Sequence, residues 1–398
     1  MKKWLSVVAI VVLSLALVVG VACGGGEDEE GGVKEVKFGI GVPLSGIMGA
    51  ILGVPTQQGF ELANDYIGEF TVAGESYKWN LIFEDNKWSS QGGVASTTKL
   101  IMEDDVKFVT HIGGDSAMSA QALCEESGVI LFASGIPVDA FGPDNPHTLQ
   151  PAVAAPPPAV ALFKYVSETY PEVKTAAAAS DDSATSHMLV EAVETAAKYF
   201  GLEWLGAEYF PTGTTELYPL ATKMVSKNPD ICLTWISVIE PMREMGWEGI
   251  SCFAQWATSY GENQGWENME GHLHYYPGPF GEGLPEAVKE IAADYERRYG
   301  VEFEQMAFQC VVQLYYMTDA LMKAGTVDDV DQIIATLETE TLDSPVGPIR
   351  FGLEGIDGIG HQFMMPYSVG EIRGGDYYRV FEMSIDEAEA LVNEIWGQ

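Results

Sequence analysis

FVTHIGGDSAMSAQALCEESGVILFASGIP, residues 108–137, reads as strand, tight loop, helix, strand and loop. An apolar run stops at Gly113-Gly114-Asp115-Ser116, a segment alternating small and apolar residues follows, and Gly128 opens a second apolar run that stops at Ser134-Gly135. Ligands of open parallel sheets sit outside the carboxyl ends of the strands, where such loops project. Both loops can therefore face one ligand.

The same alternation extends in both directions. Upstream, 36–44 reads as a strand, 57–67 as a helix, 78–84 as a strand ending in Glu84-Asp85-Asn86, and 92–103 as a helix. Downstream, the proline-rich stretch 144–158 (DNPHTLQPAVAAPPP) breaks the pattern and reads as a crossing segment. Alternation then resumes, with helices expected at 159–169, 185–200, 216–227 and 240–245 and strands at 175–180, 203–209, 230–236, 251–255 and 272–276. A second Pro/Gly crossing, Pro277-Gly278-Pro279-Phe280, precedes three helices at 285–299, 305–324 and 330–339. A β-rich section, 349–383, and a last helix, 385–396, close the chain. Strands separated by single helices imply right-handed βαβ units. The fold class expected is α/β, with two doubly wound lobes built on parallel central sheets and a cleft between them.

The chain has 398 residues, 47% of them hydrophobic, enough for two ordinary domains. Lys plus Arg is 21 against 58 acidic residues, a formal charge of -37. Nucleic-acid phosphates need basic residues, so that class of partner is excluded. The cysteines are Cys23, Cys124, Cys232, Cys252 and Cys310, and none forms a CxxC pair of the zinc-ribbon or thioredoxin kind.

Residues 1–22 begin with Lys2 and Lys3, run apolar from 5 to 19, and end on Ala22. They read as a secretory signal peptide. Cys23 directly after it resembles the lipobox cysteine of bacterial lipoproteins, with Gly20 where a branched aliphatic residue is usual. A plain signal peptide, or a short membrane anchor with an incidental cysteine, is the alternative. The resemblance implies lipidation at Cys23, with 23–33 as a flexible Gly/Glu tether that holds the body off a membrane. The protein is expected outside the cytoplasm, in the periplasm or at the cell surface, touching membrane through the lipid alone.

Several pieces together resemble the type I periplasmic solute-binding proteins of ABC importers, in the leucine/isoleucine/valine-binding family. They are FGIGVPLSG, QGFELAND, FEDN, VASTTKLI, the opening stretch, KNPDICLTWIS, MEGHLHYYPGPF, the long run from DYERRYG to LMKAG, and SPVGPIRFGLEG, in the family's order. The resemblance covers nearly all of the chain after the leader. It implies a Venus-flytrap with a three-crossing hinge, lobe one from 34–150 and 278–361, and lobe two from 151–277 and 362–398. It also implies a monomer that closes on a small solute and hands it to ABC permease and ATPase subunits, with no catalysis and no cofactor.

By resemblance, a hydroxyl and backbone amides in the loop after the fourth strand grip a ligand carboxylate, which here falls on Asp115, Ser116 and Ala117. The next strand's loop falls on Ser134, Gly135 and Ile136, with Pro137 following, and lacks the hydroxyl expected there. In lobe two the family's aromatic position is Thr185, and its ammonium-binding acid falls near Gln255 or Trp256. A neutral amide and an indole cannot replace that acid, so the solute expected is apolar, aromatic or a carboxylate or amide rather than an ordinary amino acid. It would touch Trp235, Trp256 or Tyr276.

Other readings compete at single residues. Asp115 before a helix is most simply an N-cap, and Trp88 is either a cleft-mouth residue or a surface tryptophan. Gly114-Asp115-Ser116 with His147 superficially resembles a secreted serine hydrolase, but the two blocks are too close together for that arrangement. A ligand sensor serving a partner receptor is a further alternative to transport. His272 and His274 share a strand face as a metal pair would, yet no third ligand follows, so solvent- or hinge-facing histidines are expected. Gly39 and Gly41 do not extend to GxGxxG, since residue 44 is leucine. Cys232 and Cys252 open neighbouring strands, and buried free thiols are favoured over a disulfide.

Overall fold

The computed structural model describes residues 32–211, 213–255 and 258–397. The segment expected to be a signal peptide, Cys23 and nearly all of the expected tether lie outside them. β1 (Lys34–Val42) leads through a turn of helix, α1 (Gly46–Met48), and a π-helical turn (Gly49–Gly53) into α2 (Val54–Ile67). The hairpin of β2 (Glu69–Val72) and β3 (Glu75–Asp85) follows, then α3 (Ser90–Met102), β4 (Phe108–Ile112), α4 (Gly114–Ser127), β5 (Ile130–Ser134) and β6 (Thr148–Leu149). These strands form one sheet in the order β2-β3-β1-β4-β5-β6.

The second sheet draws on α5 (Pro156–Thr169), β7 (Thr175–Asp181), α6 (Ala184–Tyr199), β8 (Glu203–Phe210), α7 (Tyr218–Lys227) and β9 (Ile231–Thr234). It continues with α8 (Ile239–Glu244), β10 (Ile250–Phe253), α9 (Thr258–Gln264) and β11 (Leu273–His274). The chain then returns through α10 (Glu286–Tyr299) and α11 (Gln305–Ala324), both packed on α2, to α12 (Val330–Thr339). A small sheet of β12 (Arg350–Gly352) and β13 (Gln362–Met364), linked by α13 (Glu354–Asp357), lies at the last crossing. β14 (Tyr367–Arg373), β15 (Asp376–Met383) and α14 (Ile385–Trp396) finish the second lobe, whose sheet runs β15-β14-β11-β10-β9-β7-β8.

Two α/β lobes are thus present, but their sheets are mixed rather than purely parallel. β2 pairs antiparallel with β3, and β14 pairs antiparallel with both β11 and β15. The β2–β3 turn puts Ala73 and Gly74 at φ 50 and 87, the left-handed pair that a two-residue hairpin demands. Alanine hides that turn from a sequence reading.

Both faces of each sheet are covered. Phe38, Ile40 and Phe132 of the first sheet pack with Phe60 of α2 and Tyr316 of α11, while Val109, Leu131 and Ala133 pack on the other face with Leu100 of α3 and Cys124 of α4. In the second lobe, Ala176, Leu233 and Leu273 face α5 and α6. Ala177, Ala179 and Cys232 face Met224 of α7 and Met242 of α8. Strands buried on both faces read as continuous apolar runs, which is why β4 and β9 were legible.

Three segments cross between the sheets. The first holds Gln150 and Val153; the Gln150 N–H donates to the His361 carbonyl (2.9 Å) and Val153 bridges Phe363 of the third. A void of about 10 Å³, room for one water, is lined by Pro151, Val153, Pro277, Phe308, Phe363 and Met365, so all three crossings border it. The expectation that Pro156–Pro158 belong to an irregular crossing is corrected. They form the first turn of α5, where a missing N–H costs no helical bond.

Candidate functional site

The cleft-facing loops of the first lobe are tied together by two side chains at the end of β3. Asp85 accepts from the Leu44 amide (3.0 Å), the Ser45 hydroxyl (2.8 Å) and the Lys87 amide (2.9 Å). Burial alone would push its carboxyl up, but these donors outweigh that and hold it below the usual carboxylate value. Asn86 is fully buried, and its Nδ2 donates to the Gly41 carbonyl (3.0 Å), the Ile112 carbonyl (2.9 Å) and Ser116 Oγ (3.0 Å). Its Oδ1 accepts from the Trp88 amide (2.9 Å). One amide therefore joins β1, β4, α4 and the turn that carries Trp88. The sequence reading missed Asn86, although an Asn at a strand's carboxyl end just before a helix was the available signal.

Several expectations for the loop after β4 change. Asp115 is not the N-cap. Gly113 occupies that position and Asp115 is exposed in the first turn, where its charge complements the helix N-terminus. Ser116 is buried, its hydroxyl donating to the Gly113 carbonyl (2.8 Å) and accepting from Asn86, so it serves the lobe's own packing rather than the cleft. Ala117 is buried too, and its amide makes the first helical bond to the Gly113 carbonyl (2.9 Å). The amides of residues 114–116 are left without an intrahelical partner, as at any helix start.

In the loop after β5, Ser134 and Gly135 stay at the cleft while Ile136 turns inward, fully buried against Leu100, Ala133 and Phe141. A hydroxyl at position 136 would point into that core. Its absence therefore carries no information about the solute. Gly135 meets the second lobe: Thr185, in the first turn of α6, donates its hydroxyl to the Gly135 carbonyl at 3.4 Å. Gly135 has φ +80, and a Cβ there would fall 3.1 Å from Thr185 Oγ1. Gly114 packs under the same carbonyl. The structure thus brings the β4 loop, the β5 loop and Thr185 to one place.

On the second lobe, Trp235 is half-buried at the end of β9, its ring edge-on to Phe253 (5.3 Å) and to Phe210 (6.5 Å), residues that end β10 and β8. An aromatic cluster stands at the carboxyl ends of three strands, and of its members only Trp235 is left partly exposed, Phe210 and Phe253 being buried. Gln255 is exposed one residue beyond Ala254, and Trp256 lies outside the described residues. Tyr276 is only 8% exposed and packs edge-on to the fully buried Tyr275 (5.7 Å), so it sits beneath the cleft surface instead of lining it openly.

The competing chemistries dissolve on contact with the geometry. His147 pairs with Glu125 (2.8 Å), whereas Ser116 pairs with Asn86, so no nucleophile–base pair forms between them. His272 and His274 are buried, not solvent-facing; burial pushes each imidazole down to about 3. His274 Nε2 donates to the Ala254 carbonyl (3.1 Å), which leaves Nδ1 to accept from Tyr377 (3.0 Å). Among the described residues no group of three or more His, Cys, Asp or Glu is placed to hold a metal ion. Gly39 and Gly41 face Leu100 and His111, not a phosphate. Cys232 and Cys252 are free and buried, because Ser251, not Cys252, stands opposite Cys232. No described helix is long and apolar enough to cross a membrane.

Comparison with solved structures shows the same fold at low identity. A leucine-binding protein from Thermotoga maritima superposes with a TM-score of 0.72 at 17% identity, over 88% of this chain and 99% of that one. A solute-binding protein of an ABC transporter from Rhodopseudomonas palustris, in complex with 3,4-dihydroxybenzoic acid, gives 0.73 at 18%, over 88% and 98%. Another from R. palustris, in complex with 4-hydroxybenzoate, gives 0.74 at 15%, over 90% and 100%. No curated protein matches the chain. The periplasmic binding protein family model matches residues 35–376, a span that takes in both lobes and every crossing, and the chain belongs to that family.

Proposed function

We propose that this protein is the extracytoplasmic solute-binding component of an ABC importer, and that its solute is a small aromatic carboxylate. The observation that carries the reading is the meeting of Gly135 and Thr185 across the cleft, beside the start of α4, with the half-buried Trp235, backed by Phe253 and Phe210, at the strand ends of the second lobe. Closure of such lobes strips water from a solute, so a few directed polar groups set its orientation and an apolar surface takes its ring. Solved relatives of this fold that carry benzoate-type ligands support the choice of solute. Asp115, Ser134 and Gln255 lie at the rim and are read as contacts to the solute's polar groups.

The three crossings at Gln150–Val153, Tyr275–Phe280 and Phe363–Tyr367 act as the hinge, and the water-sized void between them gives it slack. The solute is delivered to permease and ATPase subunits by a monomer held to the membrane by lipid on Cys23. Isothermal titration of the purified protein with benzoate, 4-hydroxybenzoate, leucine and acetamide tests the solute. Binding of a benzoate with no binding of leucine is the expected result, and binding of none of the four would sink the reading. Mass spectrometry of the membrane fraction tests the anchor: a diacylated N-terminal peptide beginning at Cys23 is expected.

A further inference from the structure

We propose that the indole of Trp88 is the first lobe's contribution to the surface that holds the ring of the solute, which makes Trp88 a specificity residue of the site; the inference rests on the aromatic-carboxylate reading above. Trp88 is 41% exposed, an unusual state for the largest apolar side chain. It is also carried in an unusual way. Lys87 and Trp88 are consecutive residues with φ 51 and 49, the left-handed region that neither side chain favours. The turn is held there by Asn86, whose Oδ1 takes the Trp88 N–H at 2.9 Å while its Nδ2 is fixed by two buried carbonyls.

One edge of the ring is packed. Gly113 has φ +112, and a Cβ there would lie 2.7 Å from Trp88 Cζ3 and 2.9 Å from Cε3, so no larger residue could stand under the indole. The next residue, Gly114, packs against Gly135, and Thr185 of the other lobe reaches that same carbonyl. Gly113, on which the Trp88 ring rests, is therefore one residue along the chain from Gly114, where the lobes meet. Merely burying an apolar side chain needs neither a left-handed turn nor a fixed ring. A flat face presented beside a closing cleft does, and offset or edge-on aromatic pairing is what such a face offers to a planar ligand.

The test uses the purified protein and its Trp88→Ala and Trp88→Phe variants, titrated calorimetrically with 4-hydroxybenzoate. Trp88→Ala is expected to weaken binding about tenfold or more, and Trp88→Phe by no more than about threefold, with the unliganded melting temperature unchanged in both. In protein labelled with 5-fluorotryptophan, the resonance missing from Trp88→Phe should shift when 4-hydroxybenzoate is added. Wild-type binding that Trp88→Ala leaves intact, or a Trp88 resonance that does not move, overturns the inference while the functional reading stands. If the parent protein takes leucine and no benzoate, the aromatic-carboxylate reading falls and this inference falls with it.

Discussion

Thr185 Oγ1 lies 3.4 Å from the carbonyl oxygen of Gly135, so the first turn of α6 in one lobe rests on the β5 loop of the other. A neutral hydrogen bond contributes about 1 kcal/mol. Thr185→Val should therefore weaken solute binding about two- to fivefold without lowering the unliganded melting temperature. Gly135→Ala should do more, since a left-handed alanine costs about 1–2 kcal/mol and its methyl would press on Thr185. Calorimetric titration and scanning calorimetry together separate the two effects.

Asn86 is expected to be among the most sensitive positions in the first lobe. Asn86→Ala strips partners from the Gly41 and Ile112 carbonyls, the Trp88 amide and Ser116, and should cost about 3 kcal/mol of stability. Asn86→Asp should be no better, because a buried carboxylate would face two carbonyl oxygens. Urea midpoints at pH 7 measure both.

Acid should destabilise the fold well before its carboxylates titrate. His111 is fully buried and burial holds its imidazole down to about 4, while His272 and His274 are held at about 3. Thr97 gives its proton to the Gly93 carbonyl, so His111 Nε2 donates to Thr97. Each folded value lies below the unfolded one of 6.5, so the unfolded chain binds more protons between the two. Stability rises with pH across that window and is lost as pH falls through it, by roughly 1.4 kcal/mol per pH unit for each histidine. Urea titrations at pH 7, 6 and 5 should show the decline, and His111→Gln should make it shallower.

The four described cysteines should be silent towards thiol reagents in the native protein. All are free and buried, and burial pushes the thiols of Cys124 and Cys310 up to about 12, with Cys232 and Cys252 raised further. A thiolate is the reactive form. Reaction with 5,5′-dithiobis(2-nitrobenzoic acid) at pH 8 should be negligible for these four until guanidinium is added, and mass analysis without reductant should find no link between Cys232 and Cys252.

Most of the architecture was legible because its strands are buried on both faces and its helices carry their own end signals. The helices Gln305–Ala324, Val330–Thr339 and Ile385–Trp396 fall where the periodicity puts them. The β2–β3 hairpin was hidden by Ala73 in a glycine-like conformation, and the start of α5 by prolines that a helix tolerates in its first turn. The site was less legible. Which loops meet could be read, since loop position follows from strand order. Which side chain in a loop points outward could not: Ser116 and Ile136 turn into the lobe by a rotation that spacing does not encode. Asn86 looked like the tail of an acidic stretch, yet it is the residue that binds the loops together.

The order of the strands has a consequence for how the protein is made. β11 finds its neighbour β14 only after almost a hundred further residues, and α2 is covered by α11 from beyond the second crossing. Neither lobe can finish during synthesis from the part of the chain that starts it. A nascent chain stopped short of residue 367 would present β11 as an open edge, ready to pair with another molecule. The sheet of the second lobe therefore cannot be completed until nearly the whole polypeptide has been made.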